Sequence, residues 1–321
     1  MAKNYVNASI GEMAPGMDIQ GFYLLSEANV KTSSKGGNYL AGKLSDKDNS
    51  IDFKMWDYQS DIHEHVGAVI KIRGQVSAYN GASQLVVERI RLAEAGDPYS
   101  LADLVPSAPI NVESEFALVQ STLEGLKDPV YKAIALAAMD RMKDDFKKIP
   151  AAKTMHHAFL NGLLMHTSNM MKQAAAIADI YGDLINRDLL IVGTFCHDMG
   201  KRKEFAFSQI GLVTDYTIPG QLIGHLVMGA QEIAEIAKEL GIDPNSEKVM
   251  LLQHMLLSHH GQPEWGAAVE PKLMEAEILS HIDVIDARIE VYREMLLTTP
   301  VGEMSDFSKA VGHNIYNPKG E

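Results

Sequence analysis

Seven positions in this chain carry the side chains from which metal centres are made: His166, the pair His197-Asp198, His225, the pair His259-His260, and Asp283. Imidazole nitrogen and carboxylate oxygen together suit Mn, Fe, Co, Ni or Zn, without choosing among them. Ten of the twelve histidines lie at or after His156, which makes this the stretch in which metal chemistry is to be sought. His197-Asp198 sits inside Phe195-Cys196-His197-Asp198-Met199-Gly200-Lys201, after the apolar run Leu189 to Val192.

The elements that must position these groups are helices, because the apolar periodicity around them is helical. Phe159, Leu163, His166, Met170 and Ile177 share one helix face. Ala276, Leu279, Asp283, Ala287 and Val291 share another, and Leu252, Leu256 and His259 repeat the pattern. A carboxylate on a buried stripe costs several kcal/mol or gives up its charge. A shared cation removes that cost. One inward histidine is explained by a hydrogen bond to backbone, whereas several on separate helices point to a metal site.

Residues 1–95 have a different character. Ile19 to Val30, Tyr39 to Leu44, Ile51 to Trp56, Val69 to Val76 and Gln84 to Arg91 are rich in Val, Ile, Tyr and Phe. Turn residues separate them, including Ser34-Lys35-Gly36-Gly37-Asn38 and Asn80-Gly81, the latter a hairpin signal. Five short strands in this length predict a small barrel of the OB type. Pro98, Pro106 and Pro109 mark a linker over 96–112, and beyond Pro150 the pattern is helical almost throughout. The expected architecture is therefore multidomain: a barrel over 1–95, a linker over 96–112, an all-α domain over 113–312 and a tail over 313–321.

Composition narrows the function classes. Of 321 residues, 46% are hydrophobic and 22% charged, as in an ordinary globular protein. No apolar run approaches the ~20 residues that cross a bilayer. The first residues lack the apolar block of a secretory signal, and Cys196 is the single cysteine, so a cytoplasmic location is expected. The net charge of −13 argues against adhesion to DNA or membrane through bulk charge. Residues 1–95 are nearly neutral, with 10 basic against 11 acidic side chains.

His166, His197-Asp198 and Asp283 match the H…HD…D signature of HD-domain phosphohydrolases. His197-Asp198-Met199-Gly200-Lys201 also resembles the extended HDxGK form of HD domains that hold two metals. With a barrel ahead of it, the chain is similar over nearly its whole length to the YhaM-type bacterial 3′→5′ exoribonucleases. Matching segments include Ala151 to His157, Leu222-Ile223-Gly224-His225, Leu257-Ser258-His259-His260-Gly261 and Ile282 to Ala287. Val284 departs from the family pattern, which has a polar residue, usually Asn, after the metal-binding Asp.

The resemblance implies a metal-dependent exoribonuclease that releases nucleoside 5′-monophosphates from single-stranded RNA by attack of a metal-activated hydroxide, with single-stranded DNA as a further substrate. It implies two divalent ions, with Mn²⁺ favoured. His166, His197, Asp198 and Asp283 would hold the first; His225, His259 and His260 would hold the second, with Asp198 shared. Lys201 would contact a phosphate oxygen. The barrel would bind the strand through exposed aromatics beside cations. The site residues expected there are Tyr39, Trp56, Lys54 and Arg73, with Phe53, Tyr79, Lys35 and Lys71 as further candidates; Phe53 shares strand parity with Ile51 and is a candidate for the interior instead. Helical HD proteins often self-assemble, and the apolar content permits it here.

Other residues carry less. His156-His157 either line the mouth of the site or cap and pack. His254 and His281 are out of phase with the proposed ligands, and His63, His65 and His313 belong on the surface. Cys196 reads as packing. Two other functions fit the same residues: an HD phosphohydrolase of nucleotides or cyclic dinucleotides, with the barrel used for assembly, and a non-catalytic single-strand-binding adaptor. The intact ligand set weighs against the last.

Overall fold

Alternation of apolar and polar side chains builds five strands: β1 (Asp18–Thr32), β2 (Asn38–Ser45), β3 (Ser50–Trp56), β4 (Val69–Tyr79) and β5 (Ala82–Leu92). The computed structural model describes residues 5–33, 36–79, 82–105, 107–151, 159–208 and 211–320. Lys35, Asn80-Gly81 and His156-His157 lie outside the described residues, as does the side chain of Tyr79. The strands close into a barrel in the order β1-β2-β3-β5-β4. All neighbours are antiparallel except β3 and β5. This is the expected OB class of barrel.

β1 makes the closure possible. Its 15 residues pair with β4 through Asp18–Leu24 and with β2 from Leu24 onward, with a register break between Leu25 and Glu27. An extra residue in one strand bends it and increases its twist, so a single strand can serve two neighbours. Ile19, Leu25, Leu40, Phe53, Ile72 and Leu85 fill the interior. Phe53, at 1% exposure, is thus a core residue and not a stacking platform. Its place in the pleat, in phase with Ile51, sends it inward.

The chain divides into two compact units, residues 1–107 with 207–214, and residues 108–206 with 215–321. The segment expected to be a linker contains a helical turn, α1 (Leu101–Leu104), and Leu104 packs with Phe22 and Val69. Apolar Leu104 and Val105, both buried, give this proline-marked stretch a reason to fold onto the barrel. The expected tail is also tied down. Ile315 is buried, its N–H donates to Ser305 Oγ at 3.0 Å, and Met304 bridges to Tyr316.

The second unit is built from α2 (Val112–Glu124), α3 (Pro129–Phe146), α4 (Gly162–Tyr181), α5 (Arg187–Cys196), α6 (Lys201–Glu204), α7 (Ile218–Ile223), α8 (His225–Glu239), α9 (Glu247–Ser258) and α10 (Met274–Thr298). Side-chain caps start several of them. Asn111 accepts from Ser114 N, Asp128 from Val130 N and Tyr131 N, and Asn186 from Leu189 N. From Leu189 to Cys196 α5 is buried on every side, and the helix packs against α3, α4, α9 and α10. Helix is not continuous beyond Pro150. A two-stranded sheet, β6 (Phe205–Phe207) with β7 (Val213–Tyr216), follows α6. Strands of three and four residues are too short for alternation to mark them.

Candidate metal centre

The seven side chains come from the second unit alone. His166 lies in the second turn of α4, and His197-Asp198 follows the buried end of α5. His225 opens α8, His259-His260 closes α9, and Asp283 sits within α10. Gly200 explains part of the convergence. A Cβ there would lie 2.2 Å from the carbonyl oxygen of His225, so only glycine lets these two backbones approach. His166, His197, Asp198, His225 and His259 are all buried.

Asp198 is the centre of the arrangement, and its two oxygens face different partners. Oδ2 lies 3.2 Å from His197 Nε2 and 4.0 Å from His166 Nε2. Oδ1 lies 3.5 Å from His225 Nε2 and 3.8 Å from His259 Nε2. Asp283 Oδ1 is 3.3 Å from His166 Nε2. The ring centres of His259 and His260 are 4.4 Å apart, and His260 is 5.2 Å from His225. Two groups with ligand atoms within 4.8 Å of one another result: His166, His197 and Asp198, and His225, His259 and His260.

The outer ring nitrogens determine what the inner ones can do. His197 Nδ1 donates to the Thr194 carbonyl and His259 Nδ1 to the Leu256 carbonyl, each at 2.7 Å. A carbonyl only accepts, so these Nδ1 atoms carry the hydrogens and Nε2 turns a lone pair inward. His225 Nδ1 donates to Glu204 Oε1 at 2.9 Å, and the same oxygen accepts the His225 N–H at 3.0 Å. His166 Nδ1 pairs with Asp286 Oδ2 at 2.8 Å. Carboxylates behind ligating histidines fix the ring and raise its basicity. Glu204 and Asp286 were not singled out in the sequence. Asp286 stands three residues after Asp283, on the helix face the apolar stripe already marked, which is the available signal; Glu204 has none.

Electrostatics agree with a site made for positive charge. Burial opposes the charge on Asp198, but Lys201 holds its carboxyl well below the ordinary range. Lys201 Nζ lies 2.7 Å from Asp198 Oδ2. Burial also opposes the charge on Asp283, and His166 overrides it. Burial works against a proton on His166, yet Asp283 and Asp286 raise its pKa to about 9. Burial pushes the His259 pKa well below its ordinary value. His197 Nε2, Asp198 Oδ1, His225 Nε2, His259 Nε2 and His260 Nδ1 are buried without a hydrogen-bond partner. Lone pairs facing a carboxylate across less than 4 Å are a costly arrangement unless a cation lies among them. This donor set fits divalent metal.

Four further histidines have partners of their own outside this cluster. His254 Nε2 accepts from Lys272 N, exposed His281 pairs with Glu277, His63 bonds Tyr58, and His313 bonds Tyr292. Cys196 is buried, and burial pushes its thiol up, as expected of a packing residue. In the barrel, Tyr39 and Trp56 are cross-strand neighbours with ring centres 4.9 Å apart, and Trp56 is 51% exposed. Lys54 is two residues before Trp56 on β3, half-buried. Arg73 does not join them. It lies on β4, between Gln20 of β1 and Arg89 of β5, donates Nε to Gln20 at 2.9 Å and covers the Tyr5 ring. There it lines a cavity of about 340 Å³ with Lys71, Arg89 and Arg91.

The HD domain family matches residues 163–288. The chain is 35% identical over 325 residues to the 3′-5′ exoribonuclease YhaM of Listeria monocytogenes serovar 1/2a, covering 100% of both chains. It is 35% identical over 309 residues to the protein of the same name from Bacillus licheniformis, covering 95% of each. A domain of replication protein A from Methanococcus maripaludis aligns with 28% of this chain and 97% of its own, at 23% identity and a TM-score of 0.25. An HD domain binds divalent metal, and the histidine and aspartate groups here are suited to it. Among the described residues, no helix is long and apolar enough to cross a membrane.

Proposed function

The chain belongs to the YhaM 3′-5′ exoribonucleases, and from that premise we propose that it shortens single-stranded RNA from the 3′ end at the cluster around Asp198, releasing nucleoside 5′-monophosphates. The observation that carries this reading is the division of Asp198, one oxygen toward His166 and His197 and the other toward His225 and His259. A carboxylate so placed would offer one oxygen to each of two cations. His166, His197, Asp198 and Asp283 would hold one ion, and His225, His259 and His260 the other, with Asp198 shared and Mn²⁺ the working metal. Bound divalent ions lower the pKa of water and neutralise charge on a phosphodiester undergoing in-line displacement.

The chain's own groups do the rest. Thr194 and Leu256 carbonyls, Glu204 and Asp286 hold the imidazoles with their inner nitrogens converged. Lys201, whose ammonium lies 2.7 Å from Asp198 Oδ2, lines the cavity with Asp283 and would contact a phosphate oxygen as negative charge develops. The leaving group is the 3′ oxygen of the penultimate nucleotide. On the barrel, the Tyr39–Trp56 pair offers stacking faces to the bases, with Lys54 beside it; Arg73 would meet the backbone elsewhere on the same barrel. Such contacts do not separate RNA from single-stranded DNA, so both belong to the proposed substrate range. A single buried cysteine supports a cytoplasmic location. Exposed Ile285, Ile289 and Leu297 on α10 offer a surface for association of copies.

The test uses purified protein, Mn²⁺ and 5′-labelled single-stranded RNA with its 3′ end free or blocked. A ladder of shortened products from the free end alone is expected. Phosphate release from nucleotides without a ladder would replace this reading with a nucleotide phosphohydrolase. Binding without turnover would replace it with an adaptor.

A further inference from the structure

The cavity beside the cluster, about 270 Å³, has two unlike walls. One is made of His166, His259, His260 and Asp283, with Lys201. The other is apolar, with Trp265, Val284 and Ala287. Its volume lies just below the usual range for drug-sized ligand pockets, about 300–1,000 Å³.

Trp265 is 65% exposed. A tryptophan held that far out of a core is not there to stabilise packing, since its apolar surface contributes only when removed from water. The backbone nonetheless fixes it. Gly261 N donates to Ser258 O at 2.8 Å, Gln262 N to His260 O at 3.0 Å, Trp265 N to Gln262 O at 3.0 Å and Ala267 N to Gln262 O at 3.2 Å. Gly261 has φ +79°, and a Cβ there would meet Ser280 Oγ at 2.6 Å and the Trp265 ring at 3.6 Å. The positive φ and the Ser280 contact call for glycine at this turn, and the Trp265 ring lies over it at ordinary van der Waals distance. One tied loop carries two proposed ligands and an exposed aromatic ring.

The chemistry of the apolar wall says what it would recognise. Trp265, Val284 and Ala287 offer no amide, hydroxyl or charge through which a base edge is read; apart from one indole N–H they present a flat π face and aliphatic carbon. We infer that Trp265 stacks on the base of the 3′-terminal nucleotide, whichever base it is, while the phosphodiester to be cut lies at the polar wall. This rests on the exoribonuclease reading for the identity of the strand, but not for the nucleotide subsite itself. Trp265 is a positioning residue: it holds the base, and the cluster acts on the phosphate.

Only two tryptophans occur in the chain, so Trp56→Phe leaves Trp265 as the sole tryptophan fluorophore. In that full-length protein, adenosine 5′-monophosphate is expected to quench the emission, and ribose 5-phosphate, which has no base, is expected to leave it unchanged. Trp265→Ala is expected to raise KM for single-stranded RNA roughly tenfold, with a smaller change in kcat and an unchanged unfolding midpoint. Trp265→Phe is expected to recover most of the lost affinity. Equal quenching by both compounds overturns the inference, as does an unchanged KM in Trp265→Ala. A lowered midpoint with kcat and KM both impaired, in Phe and Ala variants alike, also overturns it, because the ring would then be structural. If the unsubstituted chain never shortens RNA while adenosine 5′-monophosphate still quenches, the exoribonuclease reading fails and the subsite stands.

Discussion

The helical unit and the barrel display their polar chemistry in opposite ways. In the helical unit, histidines and aspartates are buried, held from behind by carbonyls and carboxylates, and turned toward one carboxylate. In the barrel, Trp56, Tyr39 and the basic side chains of β4 and β5 lie on the outside, over an interior of ordinary aliphatic residues. A buried polar group must be answered by a partner, so its position is strongly constrained. An exposed aromatic or cation costs little wherever it is placed. The first region is therefore specific about its ligand, and the second is tolerant.

Substitutions can break that contrast or sharpen it. Asp198→Ala is expected to lower RNA cleavage by roughly a thousandfold or more while the chain stays folded by circular dichroism; near-normal cleavage would remove Asp198 from the centre of the account. Glu204→Gln and Asp286→Asn should each weaken metal binding by roughly 10–100-fold in calorimetric titration, with less effect on unfolding. Trp56→Ala should weaken binding of a long single-stranded RNA by about tenfold, while cleavage of a dinucleotide is untouched. If dinucleotide cleavage falls equally, the barrel is not a separate strand-holding surface. The smallest effect concerns stability alone. Asp128 caps α3 and pairs with Lys248, and although burial opposes its charge, Lys248 and the capped N–H groups lower its pKa. Asp128→Ala should cost about 1 kcal/mol in denaturant unfolding. Because the folded pKa is the lower one, that contribution is present above the unfolded pKa near 3.9 and is lost as pH falls through the folded value.

The same contrast explains what the sequence made legible. The five strands appear where alternation predicts them, since one face of each must meet the barrel interior. His166 and Asp283 were visible because they interrupt apolar stripes. Phe53 illustrates the weaker signal: an aromatic in a small barrel serves core and surface equally well, and only its pleat phase shared with Ile51 points inward. Arg73 looked like a companion of Trp56, but strand order, which local sequence does not encode, puts it between β1 and β5. Leu104 and Val105 were obscured by the prolines around them. Glu204 could not be read at all, because a carboxylate in a four-residue helix is ordinarily solvated, and its partner His225 is 21 residues away.

The central claim is that the groups around Asp198 bind divalent cations, and titration of the chelator-stripped chain with Mn²⁺ in a calorimeter tests it most directly. Binding of two ions per chain is expected in the unsubstituted protein, with both sites lost or severely weakened in Asp198→Ala. Absence of binding, or an unaltered isotherm in Asp198→Ala, would contradict the account.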